Sequence, residues 1–466
     1  MLEENEEKTE SENQEILQDL SEQGKTEELV EMFEELPTMD VAEFMEEKPV
    51  EETIEYLKKL DKEDQGRIFS DFTQDLQLKI FHAIDKRNFA QIFSQMFSDI
   101  RADLYQALSK EEQIELLPYL ARKVREDVII LSAYPPETAG GIMNTDFATV
   151  FADMTCAEAL AKIRSDAPSK EMIYYVYVVD HSMVMKGIIT LKDLVMNDPK
   201  TRISDFIDEF FVSGEVNEDR ESVAQKIEKY DLAAIPILNS LNQLVGVVSH
   251  EEAIDIIRKE ETEDLEKLMG IMPSENAEEY LVTSSFQHFK KRVVWLVSLA
   301  AVGIISGMII NEYQNVLENF IILAMYMPMM AATGGNTGSQ AATVIIRSLS
   351  LGEISDSDWL KIVMKEMKIS FMLSLCVAIL TYLKIAFLSF HALLPPNMTM
   401  SYIGMVISFA IAIQVITSAL IGAGLPLFVR KLGGDPAVVA SPAITTIVDI
   451  TGLLIYFTVA SFTLGI

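Results

Sequence analysis

Five apolar segments, at about residues 293–311, 319–346, 367–390, 401–428 and 437–464, constrain this 466-residue chain more than any other feature. Each is long enough to span a hydrocarbon core about 30 Å thick at roughly 1.5 Å of rise per residue. Backbone in lipid must satisfy its own hydrogen bonds, so five membrane helices are expected. The basic residues set their direction. Lys290, Lys291 and Arg292 precede the first span; Arg347, Lys361, Lys365 and Lys368 lie between the second and third; Arg430 and Lys431 lie between the fourth and fifth. The other two loops, "NEYQNVLEN" and "HALLPPNMTM", hold no Lys or Arg. Positive charge stays on the cytoplasmic side, so the N-terminal part is expected in the cytoplasm and the C-terminus outside.

The rest of the chain is a different material. Residues 1–290 carry 29 Lys and Arg against 63 Asp and Glu, whereas residues 291–466 carry 9 against 8. That acidic excess argues against nucleic acid, whose phosphates need a basic footprint. It leaves a solvated, charge-kept-soluble surface or one that gathers divalent cations, which take carboxylate oxygens. The two cysteines, Cys156 and Cys376, offer no disulfide framework or thiolate metal site. The start, "MLEENEEKTESENQE", lacks the basic head and apolar core of a signal peptide; residues 1–24 are expected to be a disordered lead-in.

Residues 25–135 read as short helices of roughly 8–14 residues with apolar positions at three and four spacing, loosely repeated, as in a stacked or solenoid array. The texture changes at Pro135–Pro136. Two related units follow, "YYVYVVDHSMVMKGIITLKDLV" and "AAIPILNSLNQLVGVVSHEEAI", each a strand, turn, strand and helix, with Gly187 and Gly246 in matching places. This duplication, over residues 136–258, resembles a tandem pair of CBS domains. The acidic stretch "EEAIDIIRKEETEDLEKLMG" reads as one helix leading out of the second unit, with a connecting region over 259–288 and the membrane domain over 289–466. The expected fold class is thus a multidomain membrane protein: an all-α superhelical N-terminal domain, an α/β CBS pair, a long connecting helix and five transmembrane helices.

Lys384 and Asp449 are the ionisable residues well inside the predicted spans. Lys384 can snorkel to the interface. Asp449 lies some 12 residues, or ~18 Å, into its span and is too short to do so. A carboxylate at that depth costs about 2.5–3.5 kcal/mol on insertion scales. It is either protonated or hydrogen-bonded by neighbouring helices, or it faces a hydrated cation pathway. Ser441, Thr445 and Asp449 share one helical face, and Pro442 is expected to loosen the helix and free carbonyls. Asp435 is either a helix cap or part of the pathway. The stretch "MAATGGNTGSQAATVIIRSL" is odd for a membrane helix. Gly334-x-x-x-Gly338 admits close helix packing, while Asn336, Thr337, Ser339 and Gln340 offer neutral oxygens on a pliable, pore-lining segment; the two readings are compatible. No His cluster, nucleophile–base pair or phosphate loop in a sensible context points to an enzyme. A membrane-anchored nucleotide sensor without transport would rest on the CBS pair alone, and Asp449 speaks against it.

"PMMAATGGNTGSQAATVIIRSL" and "GGDPAVVASPAITTIVDITGLLIY" closely resemble the MgtE family of magnesium transporters and channels, and the order of parts resembles it from about residue 25 onward. The resemblance implies a homodimer in the cell membrane with a central pore, cytoplasmic domains that bind Mg2+, and closure when internal Mg2+ is high. It implies pore roles for Asp449, Thr445 (backbone), Ser441 (where Asn is usual) and Asp435, with Asn336 helping to hold the ion's water shell. For regulation it implies Asp99, Asp103, Gly141, Glu221, Glu228, Asp231, Glu252, Asp255, Glu260, Glu263 and Asp264; one acidic position of the family falls on Arg67. Thr190 and Asp193, with Ser249 and Glu252 as counterparts, resemble the ribose-and-phosphate end of a nucleotide-binding CBS unit. ATP or another adenine nucleotide there, and an empty structural module, are both open.

Overall fold

A computed structural model describes residues 13–14, 16–166, 172–273, 280–281, 283–388, 398–439 and 441–465. The first part of the acidic lead-in, part of the connecting region and most of the "HALLPPNMTM" loop lie outside the described residues. The chain divides into two compact units, Met1–Arg258 and Lys259–Ile466.

The first unit opens with helical residues 16–22, within the lead-in expected to be disordered, and Leu17 is buried in the helical core. Short helices follow: α1 Thr26–Glu35, α2 Thr38–Glu46, α3 Val50–Leu57, α4 Lys62–Asp71, α5 Gln74–Ala83, α6 Lys86–Phe93, α7 Ser98–Ala107, α8 Lys110–Leu116 and α9 Arg122–Leu131. Several end on an extended residue, such as Leu36, Phe72, Ile84 and Leu108, so the chain turns after two or three turns of helix. Side chains at the next start take up orphan backbone N–H groups: Asp61 accepts from Glu63 and Asp64, Asp85 from Arg87 and Asn88, and Ser109 forms a reciprocal box with Glu112. Each helix packs on the next but one, α2 on α4, α3 on α5 and α4 on α6, as the solenoid reading expects. Their core is aromatic, with Phe69, Phe81, Phe89 and Phe93 fully buried.

The CBS pair begins with α10 (Ala139–Ile142). Its first half is β1 Phe147–Phe151, α11 Cys156–Asp166, β2 Met172–Val179, β3 Met185–Thr190 and α12 Leu191–Met196. Its second is β4 Gly214–Glu215, α13 Arg220–Tyr230, β5 Ala234–Leu238 and β6 Leu244–Ser249, and α14 (His250–Leu268) follows. Both sheets have a parallel first pair and an antiparallel second pair. The duplication extends to register: Gly187 faces Val178 and Gly246 faces Ile237, and both ladders shift at the next residue. Each glycine admits a close neighbour. A methyl on Gly187 would lie 2.3 Å from the Asp208 carbonyl oxygen, and one on Gly246 2.5 Å from Met143 Sδ. The second half does not bury its core alone: Ala102 of α7 and Leu131 of α9 share it with Val223, Ile227, Ile235 and Val248.

The second unit contains α15 Ser285–Val302, α16 Ile304–Glu312, α17 Gln314–Asn319, α18 Ile321–Ser350, α19 Trp359–Leu388, α20 Met400–Lys431 and α21 Ser441–Leu464. Among the described residues four segments are long and apolar enough to cross a membrane: Ser285–Glu312, Trp359–Leu388, Met400–Lys431 and Ser441–Leu464. The 30-residue α18 has the length but not the apolarity, because "GGNTGSQ" dilutes it. α18 packs along α20 and α21, α20 along α19, and α16 on α21. The third predicted span begins too late. α19 starts at Trp359, which brings Glu366 inside the helix, where it is buried.

Candidate ion site and its neighbours

Of the two readings of "GGNTGSQ", close helix packing is the one seen, and α18 runs through the stretch unbroken. Its glycines are packing positions. A methyl on Gly335 would lie 2.9 Å from Thr445 Cγ2, one on Gly338 3.1 Å from Ile444 and Val448, and one on Gly422 of α20 only 2.1 Å from the Gly338 carbonyl oxygen. One expectation about local backbone is corrected: Pro442 does not loosen α21. It is the second residue of that helix, where its missing N–H costs no hydrogen bond. The carbonyls of Ser441 and Pro442 are taken by Thr445 Oγ1 at 3.0 Å and Thr446 Oγ1 at 2.9 Å.

Ser441, Thr445 and Asp449 do lie along one side of α21, each half-buried. α18 adds a residue that sequence reasoning placed only among neutral oxygens. Ser441 Oγ donates to Ser339 Oγ at 2.9 Å, and Ser339 Oγ lies 3.3 Å from Thr445 Oγ1. A hydroxyl has one proton. Thr445 gives its own to the Ser441 carbonyl and Ser441 gives its own to Ser339, so Ser339 donates to Thr445. All three protons are spent inside the protein. The remaining lone pairs make this patch an acceptor, the complement of a cation's water shell, whose hydrogens point outward. One turn on, Asp449 Oδ1 is buried and meets no donor among the described residues. Asn336 and Gln340 are exposed on the outer side of α18, beside half-buried Ser339.

Asp435 precedes α21 on a short 3-10 turn, Pro436–Val438. It is a cap and also an ion-pair partner. Oδ1 accepts from the Ala437 N–H at 2.8 Å, and Oδ2 accepts from Lys267 Nζ at 2.8 Å. Lys267, near the end of α14, also pairs with Glu263 at 2.6 Å. Burial works against the ammonium, but the hydrogen bonds to Asp435 and Glu263 outweigh it and hold Lys267 protonated above its ordinary range. Asp264 hydrogen-bonds Ser350 Oγ at 3.3 Å, and burial, then the Asp435 charge, pushes its carboxyl up. Glu260 is half-buried on the same helix.

In the first unit the remaining predicted residues are spread out. Asp99 and Asp103 sit one turn apart on α7; Asp99 Oδ1 meets no donor among the described residues, and burial raises that carboxyl. Gly141 belongs to α10, where a methyl would lie 2.4 Å from the Pro135 carbonyl oxygen. Glu221 and Glu228 are on α13, Glu221 accepting from Gln225, and Asp231 caps that helix with left-handed backbone. Glu252 and Asp255 are in the first turns of α14, the Glu252 N–H bonding Ser249 Oγ. Arg67 pairs with Glu63 at 3.0 Å. Thr190 and Asp193 satisfy each other as a capping box at the start of α12. Among the described residues no three carboxylate, imidazole or thiol groups converge tightly enough to hold a metal ion.

The comparisons fit this layout. Residues 327–459 match the divalent cation transporter family MgtE, 36–137 the MgtE intracellular N domain, and 139–199 the CBS domain. The magnesium transporter MgtE of Thermus thermophilus is 35% identical over 338 residues, 72% of this chain and 72% of that protein. The chain belongs to the MgtE family. The MgtE proteins of Enterococcus faecalis and Bacillus subtilis are 34% and 31% identical over 70% and 72% of this chain and 69% and 71% of theirs. A crystal structure of the soluble part of a magnesium transporter is 28% identical with a TM-score of 0.51, over 54% of this chain and 99% of that one. The cytosolic domain of the Mg2+ channel MgtE in complex with ATP is 30% identical with a TM-score of 0.49, over 52% of this chain and 98% of that one.

This MgtE family member holds residues that sequence reasoning missed. Lys267 meets Asp435 across 168 positions, which no local pattern records. Gln414 is an amide within the apolar run of α20 and is fully buried; its isolation in that run was the available signal.

Proposed function

We propose that this chain carries Mg2+ across the cell membrane, with its N-terminal part in the cytoplasm and its C-terminus outside. The observation that carries the reading is Asp449: a carboxylate deep in a span, whose Oδ1 meets no donor among the described residues, next to an acceptor-only patch of three hydroxyls. Mg2+ dehydrates reluctantly and keeps several waters. A site of one carboxylate and outward lone pairs suits an ion that arrives wearing its water. The relatives' names point to the same ion. The exposed amides Asn336 and Gln340 of α18 are poorly suited to lipid, and a second copy of the chain facing them would enclose a hydrated path. The direct test is Mg2+ flux into proteoliposomes holding the full chain. Empty-vesicle flux in that assay, alongside nucleotide binding, would favour the sensor reading.

Regulation follows from like charges. Glu260, Glu263 and Asp264 face the membrane end of α14, close to Asp435, and divalent cations among such carboxylates turn repulsion into attraction. Cytoplasmic Mg2+ that binds a closed arrangement better shifts the population toward it. Neutralising Glu260, Glu263 and Asp264 together is expected to leave uptake running at internal Mg2+ levels that silence the unaltered protein. Shut-off at an unchanged concentration rules the sensor out. An adenine nucleotide such as ATP is proposed at Thr190 and Asp193 of the CBS pair, whose two concavities of about 610 and 380 Å3 are lined by other residues, among them Glu209, Asp180, His181 and Lys186.

A further inference from the structure

Gln414 is fully buried in the middle of α20. An amide in apolar surroundings is unfavourable unless its hydrogen bonds are met. Only part of that demand is met here. Nε2 donates to the Val448 carbonyl oxygen at 2.9 Å, while Oε1 finds no donor among the described residues. Two glycines on two other helices clear space for the amide. A methyl on Gly334 of α18 would lie 2.4 Å from Nε2, and one on Gly452 of α21 would lie 2.3 Å from it. The amide is therefore wedged where α18, α20 and α21 meet, and it holds the peptide unit whose N–H belongs to Asp449.

The geometry points to Gln414 as the positioning residue for Asp449, an inference that rests on reading Asp449 as the ion-facing carboxylate. Packing alone is a poor reason for this side chain, since an apolar residue of the same length would fill the slot without leaving an oxygen bare. What the amide adds is direction. Hydrogen bonds tie α21 to α18 at Ser441 and Thr445 near its start and at Tyr456 further on; between them apolar contacts are not directional and leave the middle of the helix free to twist at little cost in buried area. A hydrogen bond from α20 to one particular carbonyl of α21 fixes that rotation. It sets where Thr445 and Asp449 face, and among the described residues Asp449 Oδ1 meets no donor to aim it.

The test uses the full-length chain in proteoliposomes, with Mg2+ and Ca2+ as probes. Gln414→Met keeps the volume and loses the donor. Its elution profile and melting temperature should stay close to those of the unaltered protein, while maximal Mg2+ flux falls about tenfold, the low end of the loss seen when a group that orients an ion-binding residue is removed. The ratio of Mg2+ to Ca2+ flux should fall with it, which a purely packing role would not produce. Gln414→Asn, still polar but too short to reach Val448, should show the same defect, and it carries the test if the Met variant does not fold. Gly452→Ala should reproduce the loss alone yet add little to Gln414→Met, because both act on one contact. Unaltered flux and ion ratio in a folded Gln414→Met protein overturn the inference. Asp449→Asn is run in parallel. If it still transports, the ion-facing reading fails; if it is dead while Gln414→Met is normal, only the positioning role fails.

Discussion

Asp449→Ala is expected to abolish Mg2+ flux, lowering it at least ~100-fold, as removal of a single preorganised charge does where that charge meets the passing ion. The amount of protein in the membrane should not fall. Taking a carboxylate out of mid-span removes an insertion cost of about 2.5–3.5 kcal/mol rather than adding one. The useful measurement is therefore flux per correctly inserted protein, by isotope or fluorescent Mg2+ indicator, with Asp449→Glu beside it. Glu keeps the charge but moves it by one methylene, so a partial loss and an altered ion ratio are expected. Wild-type flux in Asp449→Ala would remove the carboxylate from the pathway and leave α21 a packing helix.

Gly422→Val is expected to do the opposite: little folded protein, whatever its transport competence. Gly422 lets α20 meet α18 backbone to backbone, so that even a methyl would lie 2.1 Å from the Gly338 carbonyl oxygen. A backbone atom cannot swing aside as a side chain can. Forced overpacking of this kind costs about 3 kcal/mol or more. Gly424 is the control, two residues along the same helix, where a methyl would meet nothing within 4 Å. Size-exclusion profiles in detergent should show a collapsed or aggregated peak for Gly422→Val and an unaltered one for Gly424→Val. Equal behaviour of the two would mean that the α18–α20 contact does not hold the membrane unit together.

What could be read from sequence alone was what repeats or what costs. The CBS duplication repeats, and Gly187 and Gly246 proved matched down to their strand partners, Val178 and Ile237. Asp449 costs, because lipid makes a buried carboxylate conspicuous. The connecting helix was legible for a third reason, its uninterrupted run of helix formers. Proline misled and glycine left two readings open, since each has a bland use as well as a sharp one. Pro442 proved to sit where helices tolerate proline, and the glycines of "GGNTGSQ" made room for neighbours. Contacts set by tertiary packing were invisible. Lys267 with Asp435, Ser339 with Ser441 and Gln414 with Val448 join residues that share no sequence neighbourhood. Each is polar and each lies within a few residues of the proposed pathway, so what was hardest to read is concentrated where the chemistry is.

The threonines of α21 bear on how the protein is made. Thr445, Thr446, Thr451 and Thr463 all donate to carbonyls three or four residues back on their own helix. Such bonds need no partner helix. A newly synthesised α21 leaving the ribosome can therefore partition into lipid with these hydroxyls already satisfied, before α18 or α20 is in place. Asp449, and the Ser441 and Tyr456 hydroxyls whose acceptors lie on α18, enter before partners from other helices are in place. The threonines thus let the segment that lines the proposed pathway enter hydrocarbon first and meet its polar partners on α18 afterwards.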